Sequence, residues 1–315
     1  MKTIIKQLYQ NTLVGKYVIQ KGIDINTYYW RYLCSDKKVI EHRFKKSFGY
    51  PIDLENPQTL NEKINWLKLN NRSQLHTQCA DKYEVRDFVS EKIGDKYLVP
   101  LISVTTNPDD IHPEKLPAPP FVIKTNHDSG GVVIVKDKNK IDWTALRADL
   151  KKRLGINYYR KSKEWQYKNI VPRIIVEKFI TDESGSTPFD YKVHCFNGTV
   201  KMIQVDMGRG TESHYRNWYD PEWNREPYRW SSKKGIDTFT HPSSTDVEKP
   251  ANLGEMISLS EIISKSFIYS RIDWYNINGK IYFGEITFHH DSGLRPIEPE
   301  EWDLRLGKQL KLPAK

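Results

Sequence analysis

"RIDWYNINGKIYFGEITF", residues 271–288, is two strand-like runs separated by Asn278-Gly279. Asn-Gly between two such runs is the strongest short hairpin signal, because both central residues of a tight hairpin turn need a positive φ. The pattern predicts two antiparallel neighbours with one acid embedded in each, Asp273 and Glu285. Side chains of adjacent strands meet in pairs, so both carboxylates can point to one spot. Two acids so aimed repel unless a cation lies between them. Mg²⁺, held by one or two carboxylates plus substrate phosphates, meets that need. The plainer alternative is two acids facing water on a solvated sheet face.

Upstream, "FVIKTNHDSGGVVIV" (121–135) reads as strand, polar turn, strand, with Lys124 where the first strand gives way to the turn. A cation beside a glycine-rich loop with many backbone N–H groups suits an anion, above all a polyphosphate. A surface hairpin with a solvated lysine is the plainer reading. More strands follow in "RIIVEKFI" (173–180) and "FDYKVHCFNGTVKMIQVD" (189–206), the latter a second hairpin turning at Asn197-Gly198. Helices are predicted from a capping box at Thr59 and Glu62, over 81–94, from an Asp142 cap, and over 252–267. "LPAPP" (116–120) is a stiff connector before the strands begin. Residues 207–250, rich in Trp, Tyr, Arg, Pro and Ser, are expected to form a lid, binding loop or insert with little regular structure.

The whole chain, 315 residues long, is enough for a sizeable core in two or three subdomains. No apolar run reaches the length of a membrane span, and the first twenty residues lack a secretory pattern. Cys34, Cys79 and Cys195 match no metal-ligand spacing and fit reduced thiols in a cytoplasmic setting. The net charge is +9, and residues 1–50 hold ten Lys/Arg against three acids. That basic arm suggests peripheral contact with the inner face of a membrane or with an anionic glycan, or else a solvated helical face. No nucleic-acid motif accompanies it.

Taken in order, the pieces resemble the ATP-grasp superfamily, which includes D-alanine–D-alanine ligase. The order is a strand with Lys and a glycine-rich turn, "VEKF", a strand with a second Lys, then "RID…GEIT". More narrowly, "NEKINWLKL", "KTNHDSGG", "EWQYKNIVPRIIVEKFI" and "DYKVHCFNG" are similar to the TupA-like branch, named for teichuronopeptide synthesis and associated with surface-polysaccharide genes. The similarity runs over roughly residues 40–312. It implies an α+β ATP-grasp fold: two α+β subdomains clasping ATP, after a helical N-terminal region. The expected divisions are 1–80, a basic helical region; 81–176, a helix plus the small subdomain; and 177–315, the larger subdomain with the metal site and the insert near 207–250.

The resemblance also implies roles. Lys124 and Lys192 would bind phosphates, under a flexible loop that includes Ser129, Gly130 and Gly131. Glu177, Lys178, Phe179 and Ile180 would meet adenine, with Asp182, Glu183 or Asp190 on the ribose. Asp273 and Glu285 would hold Mg²⁺, with Thr287 where the family usually has Asn, and Arg271 would steady charge on the reacting carboxyl. No Rossmann-like domain is evident ahead of these motifs. The implied reaction is ATP-dependent amide formation between a carboxylate and an amine through an acyl phosphate. Its expected setting is the joining of an amino acid or amine to a sugar acid in capsule, O-antigen or other surface polysaccharide. The absence of a Ser-His-Asp or Cys-His pattern agrees, since no protein nucleophile is needed. A glycosyltransferase is the alternative, but no nucleotide-sugar domain or DxD motif accompanies it. An inactive ATP-binding scaffold is a third, resting on Thr287 alone. Substrate contacts are sought among His127, Arg209, Arg216, His289 or His290, and Arg295. Trp218, Trp223 and Trp230 either stack on sugars or pack the insert, and Lys82 reads as a surface helix residue.

Overall fold

A computed structural model describes residues 13–181, 188–208, 211, 214–231, 233–234 and 238–314. The N-terminal part is helical, as its periodicity suggests: Leu13–Tyr28, Asp36–Phe48, Leu60–Asn70, Gln74–Ala80 and Val85–Ile93. The capping box forms, with the Thr59 side chain accepting from the Glu62 N–H and the Glu62 side chain accepting from Thr59. One helix starts later than expected. The Asp81 carboxylate accepts from the N–H groups of Tyr83 and Glu84, which closes a turn first, so the helix begins at Val85.

A small four-stranded antiparallel sheet has the order β1 (Leu101–Thr105), β4 (Ile174–Lys178), β2 (Phe121–Thr125), β3 (Val133–Val135). Side chains alternate across it. Phe121, Ile123, Val135, Ile174 and Val176 enter a core with the helix Trp143–Leu154. The other face presents Val122, Lys124, Ile134 and Glu177, since Val122 pairs with both Ile134 and Glu177.

The large sheet has the order β12 (Lys280–Thr287), β11 (Tyr269–Ile277), β5 (Asp190–Phe196), β6 (Thr199–Met207), β7 (Tyr215–Tyr219). Both Asn-Gly turns form, with φ positive at Asn197, Gly198, Asn278 and Gly279. The sheet's two faces differ completely. Val193, Ile203, Val205, Ile272 and Trp274 pack against the helices Val85–Ile93 and Leu253–Ser264 in the main core. The opposite face carries Arg271, Asp273, Lys192, Asp206 and Arg216 across four strands, with Asp273 opposite Lys192 and Asp206 opposite both Asp190 and Arg216.

The insert is more ordered than its composition suggested. It supplies β7 as the fifth strand, and short pairs link β9 (Lys233–Lys234) to β10 (Thr238–Phe239), and β8 (Arg229–Trp230) to β13 (Ile297–Glu298). Trp218 and Trp230 are fully buried in a second core with Leu60, Ile64 and Leu306. Trp223 stacks on Tyr219 at 4.4 Å between centroids. All three tryptophans therefore pack the protein: Trp218 and Trp230 are enclosed, and half-buried Trp223 lays one face on Tyr219. The three cysteines are buried and unbridged.

Candidate active site

The hairpin of β11 and β12 would fail as an acid pair if it were regular. Ile277 faces Lys280, so an unbroken ladder would set Glu285 opposite Ile272 and point it into the core. The register shifts instead: Ile272 pairs with Ile286, and Trp274 with Phe283. One extra residue on β12 forms a bulge, which re-aims side chains locally. Phe283 and Ile286, three apart, both reach the core, while Glu285 turns to the polar face beside Asp273. Gly284 sits at the bulge, where an added Cβ would lie 3.1 Å from the Asp273 carbonyl oxygen.

On that face the charges interlock. Arg271 donates from Nε and Nη2 to the two oxygens of Asp273, each at 2.7 Å, and Nη2 lies 3.4 Å from Glu285 Oε1. Its Nη1 is 2.7 Å from His290 Nδ1. Burial alone would lower the guanidinium's pKa, but Asp273 and Glu285 raise it above its usual value, so Arg271 is held charged. Lys192 bonds to Asp190 and lies 3.1 Å from Asp273 Oδ2 and 3.8 Å from Asp206 Oδ2. Burial would raise the Asp206 pKa; His214, Arg216 and Lys192 together drive it well below the usual carboxylate range. Sequence reasoning missed Asp206, because it shows only as an acid near the end of one more strand.

Two cavities flank this face. An apolar slot of about 160 Å³ lies between the sheets, lined by Val85, Val99, Val122, Ile134, Phe179 and Phe283, with Lys124, Glu177, Lys178 and Ile180 at its margin. Lys124 is 2.5 Å from Glu177 Oε2, and Arg86 is 3.5 Å from Oε1. Lys82 also lines the slot and donates to the Asp128 carbonyl. It is half-buried, not a surface helix residue; burial lowers its pKa, and Glu285 pulls the other way. The second cavity, about 600 Å³, is polar. It is lined by Ser129, Glu164, Lys192, Arg271, Glu285 and Thr287, and also by Arg43, Arg216, His289 and Arg295. The two cavities meet at the bulge, with Gly284 lining one and Glu285 the other.

The remaining expectations divide. The loop's first half is anchored rather than mobile: Asn126, His127 and Asp128 are buried. Asn126 donates to Asp81 and to the Val171 carbonyl, and Thr125 donates to Asp128. His127 lies against the Arg153 carbonyl at 3.1 Å and lines neither cavity. Only Ser129 to Val132 remain open, with Gly130 and Gly131 at positive φ. His289 is buried, 3.1 Å from the Gln166 amide and 3.8 Å from Glu164, while His290 backs Arg271. Among the ribose candidates, Asp190 faces the Lys192 cluster; Asp182 and Glu183 lie outside the described residues, as does Arg209.

A family model described as TupA-like ATPgrasp matches residues 62–311. The chain belongs to that family. The ATP-grasp fold is thus what brings the small sheet's lysine, the slot and the large sheet's charged face together. Solved structures similar to this ATP-grasp chain include D-alanine–D-alanine ligase from Bacillus anthracis complexed with ATP, at 19% identity and TM-score 0.38, covering 67% of this chain and 55% of that one. L-amino acid ligase from Bacillus licheniformis is 14% identical with TM-score 0.46, covering 89% and 63% respectively. The chain thus spans between about half and two thirds of the length of these two structures. Comparison with curated proteins gives no match.

Proposed function

We propose that the protein is an ATP-dependent carboxylate–amine ligase, with the nucleobase in the apolar slot and the acid and amine in the polar cavity. The observation that carries this reading is the junction of the two cavities at Gly284 and Glu285, with Lys124 on one side and Lys192, Arg271 and Asp273 on the other. A triphosphate crossing from slot to cavity would meet all of these groups. The substrate carboxylate oxygen attacks the γ-phosphorus, the bond to the β-phosphate oxygen breaks, and ADP leaves. The amine then attacks the acyl carbon, the bond to the phosphate oxygen breaks, and inorganic phosphate and one proton are released.

The protein's part is positioning and charge neutralisation. Lys124 and Lys192 offset phosphate charge, and Arg271 steadies the oxyanion of the tetrahedral intermediate. Asp273, Glu285 and Thr287 are oxygen donors of the kind Mg²⁺ takes and would hold it once Arg271, which here spans both Asp273 oxygens and reaches Glu285, turns to the substrate. When bound there, the ion supplies charge neutralisation for the phosphates. The finer reading, an amino acid or amine joined to a sugar acid in surface-polysaccharide synthesis, is supported by the resemblance. ADP release measured over uronic acids and amino acids, singly and in pairs, tests both levels. Release that requires a carboxylate and an amine together is the expected result. Sugar transfer without ATP consumption overturns the proposal in favour of a transferase.

A further inference from the structure

The helix Leu13–Tyr28 and the turn Tyr29–Leu33 carry an apolar surface that the other described residues leave largely open. Tyr17 and Leu33 are 66% exposed and Ile25 is 69% exposed, with Val18, Tyr28 and Tyr32 close behind. Singly exposed apolar residues are ordinary, but a contiguous group marks an interaction site. At helical spacing Tyr17, Val18, Ile25 and Tyr28 share one stripe about 100° wide with Asp24 at its edge, while Lys16, Gln20 and Thr27 lie on the far side together with Ile19 and Ile23.

Side-chain type and charge choose the occupant. Tyrosine with flanking lysine is the composition of an interfacial helix, with rings at the headgroup level and ammonium groups reaching anionic lipid. Lys21 falls inside the apolar stripe. A second protein helix packed there would bury its ammonium at a cost, whereas at a bilayer surface its stem lies flat and its charge reaches the headgroups. Ten basic residues against three acids over 1–50 complement a negative surface. The root of this element is tied to the polar cavity. Lys163 donates to the Arg31 carbonyl at 3.0 Å, and the Arg160 guanidinium lies over the Tyr32 ring at 5.4 Å. Arg43, a cavity residue, donates to the Lys161 and Ser162 carbonyls.

We propose that residues 16–33 lie on the surface of an anionic bilayer, with the Tyr17–Ile25–Tyr28 stripe in the headgroup region and Lys21 on the lipid phosphates. The helix is far too polar to cross, and no described helix is long and apolar enough to do so. The test is flotation of the full chain with phosphatidylcholine vesicles, alone or with one quarter phosphatidylglycerol. Binding is expected only to the mixed vesicles and should weaken as salt rises. Lys21→Gln, which removes the one ammonium inside the stripe, should lower the partition by roughly fivefold. Tyr17→Ser with Ile25→Ser and Tyr28→Ser should abolish flotation, with the thermal midpoint unchanged because these side chains touch little. Failure of the wild type to float, equal binding to neutral vesicles, or unaltered binding of both variants would each overturn the proposal. So would a dimer in light scattering that the serine variant dissolves while vesicle binding is absent. None of these outcomes depends on which substrates the enzyme joins.

Discussion

The slot and the cavity share one strand and work by different physics. The slot's walls are aliphatic and aromatic, and its one acid, Glu177, is already paired with Lys124 and Arg86. It can select by shape and apolar contact. The cavity is lined by arginines and acids, several of them bonded to one another, and it can select by charge. The difference teaches where variation can be tolerated. On the proposed reading, a nucleobase would ask the same of every relative, whereas the cavity's Arg43, Glu164, Arg216 and Arg295, which come from four distant parts of the chain, would set what this protein accepts.

The largest effect that separates the two is expected at Arg271. Arg271→Met should cut turnover by roughly 10²–10³-fold, the value of one oxyanion donor, while ATP affinity changes far less. Arg271→Lys should restore only part, because a point charge cannot replace a guanidinium that spans both Asp273 oxygens. ADP release and equilibrium nucleotide binding, measured on the same samples, decide it. An equal loss in both would merge the cavity with the slot and break the comparison.

Acid should act through the wall behind the cavity. His76 packs against Phe267 and Phe288, and burial lowers its pKa to about 4. A folded-state pKa below the unfolded value of about 6.5 means that the unfolded chain takes up the proton first. This contribution to stability is complete above pH 6.5 and is lost as pH falls towards 4, by up to about 3 kcal/mol. Burial also lowers the pKa of His194, and the same holds for His289 and His290. Urea midpoints between pH 7 and 4.5 should fall steeply for wild type and less steeply for His76→Gln. Parallel curves would remove His76 from the account.

On the slot side, Val122→Trp should fill the apolar space and weaken ATP by about 1–3 kcal/mol, the cost of overpacking. Acidic ligands of the cavity should bind this variant unchanged. Calorimetry with ATP, and separately with the acids found by the ADP-release screen, reads both. A loss of acid binding would mean that the two volumes act as one.

These contrasts also show what the sequence could and could not reveal. Both Asn-Gly hairpins, the Thr59–Glu62 box and the strand with Lys124 were legible because each is fixed by residues a few positions apart. The pairing of Asp273 with Glu285 was reached by an argument that omitted its cause. A regular hairpin would have buried Glu285 opposite Ile272, and only the bulge at Gly284 reverses that. A one-residue shift of register is invisible to alternation read strand by strand. Residues 207–250 read as a loop because β7 gains its order from β6, an edge that composition does not show. His127 read as a candidate substrate contact because its partner is a carbonyl 26 positions away.

Lys82 offers the smallest test and the most direct, because it touches both regions. It lines the slot, yet its ammonium is spent on the Asp128 carbonyl, next to the Ser129 that lines the cavity. It thereby holds the loop's anchored end while adding positive charge near Lys124. Lys82→Met keeps the length and apolar stem of the side chain and removes one half-buried hydrogen bond, a change of about 1 kcal/mol. ATP should bind roughly fivefold more weakly, with the thermal midpoint nearly unchanged. The effect on ATP should shrink as salt rises if charge dominates, and stay constant if loop anchoring does. A surface helix residue would give no change in ATP affinity at any salt. That outcome would separate Lys82 from the slot and leave the loop's position to its other anchors, through Thr125, Asn126, His127 and Asp128.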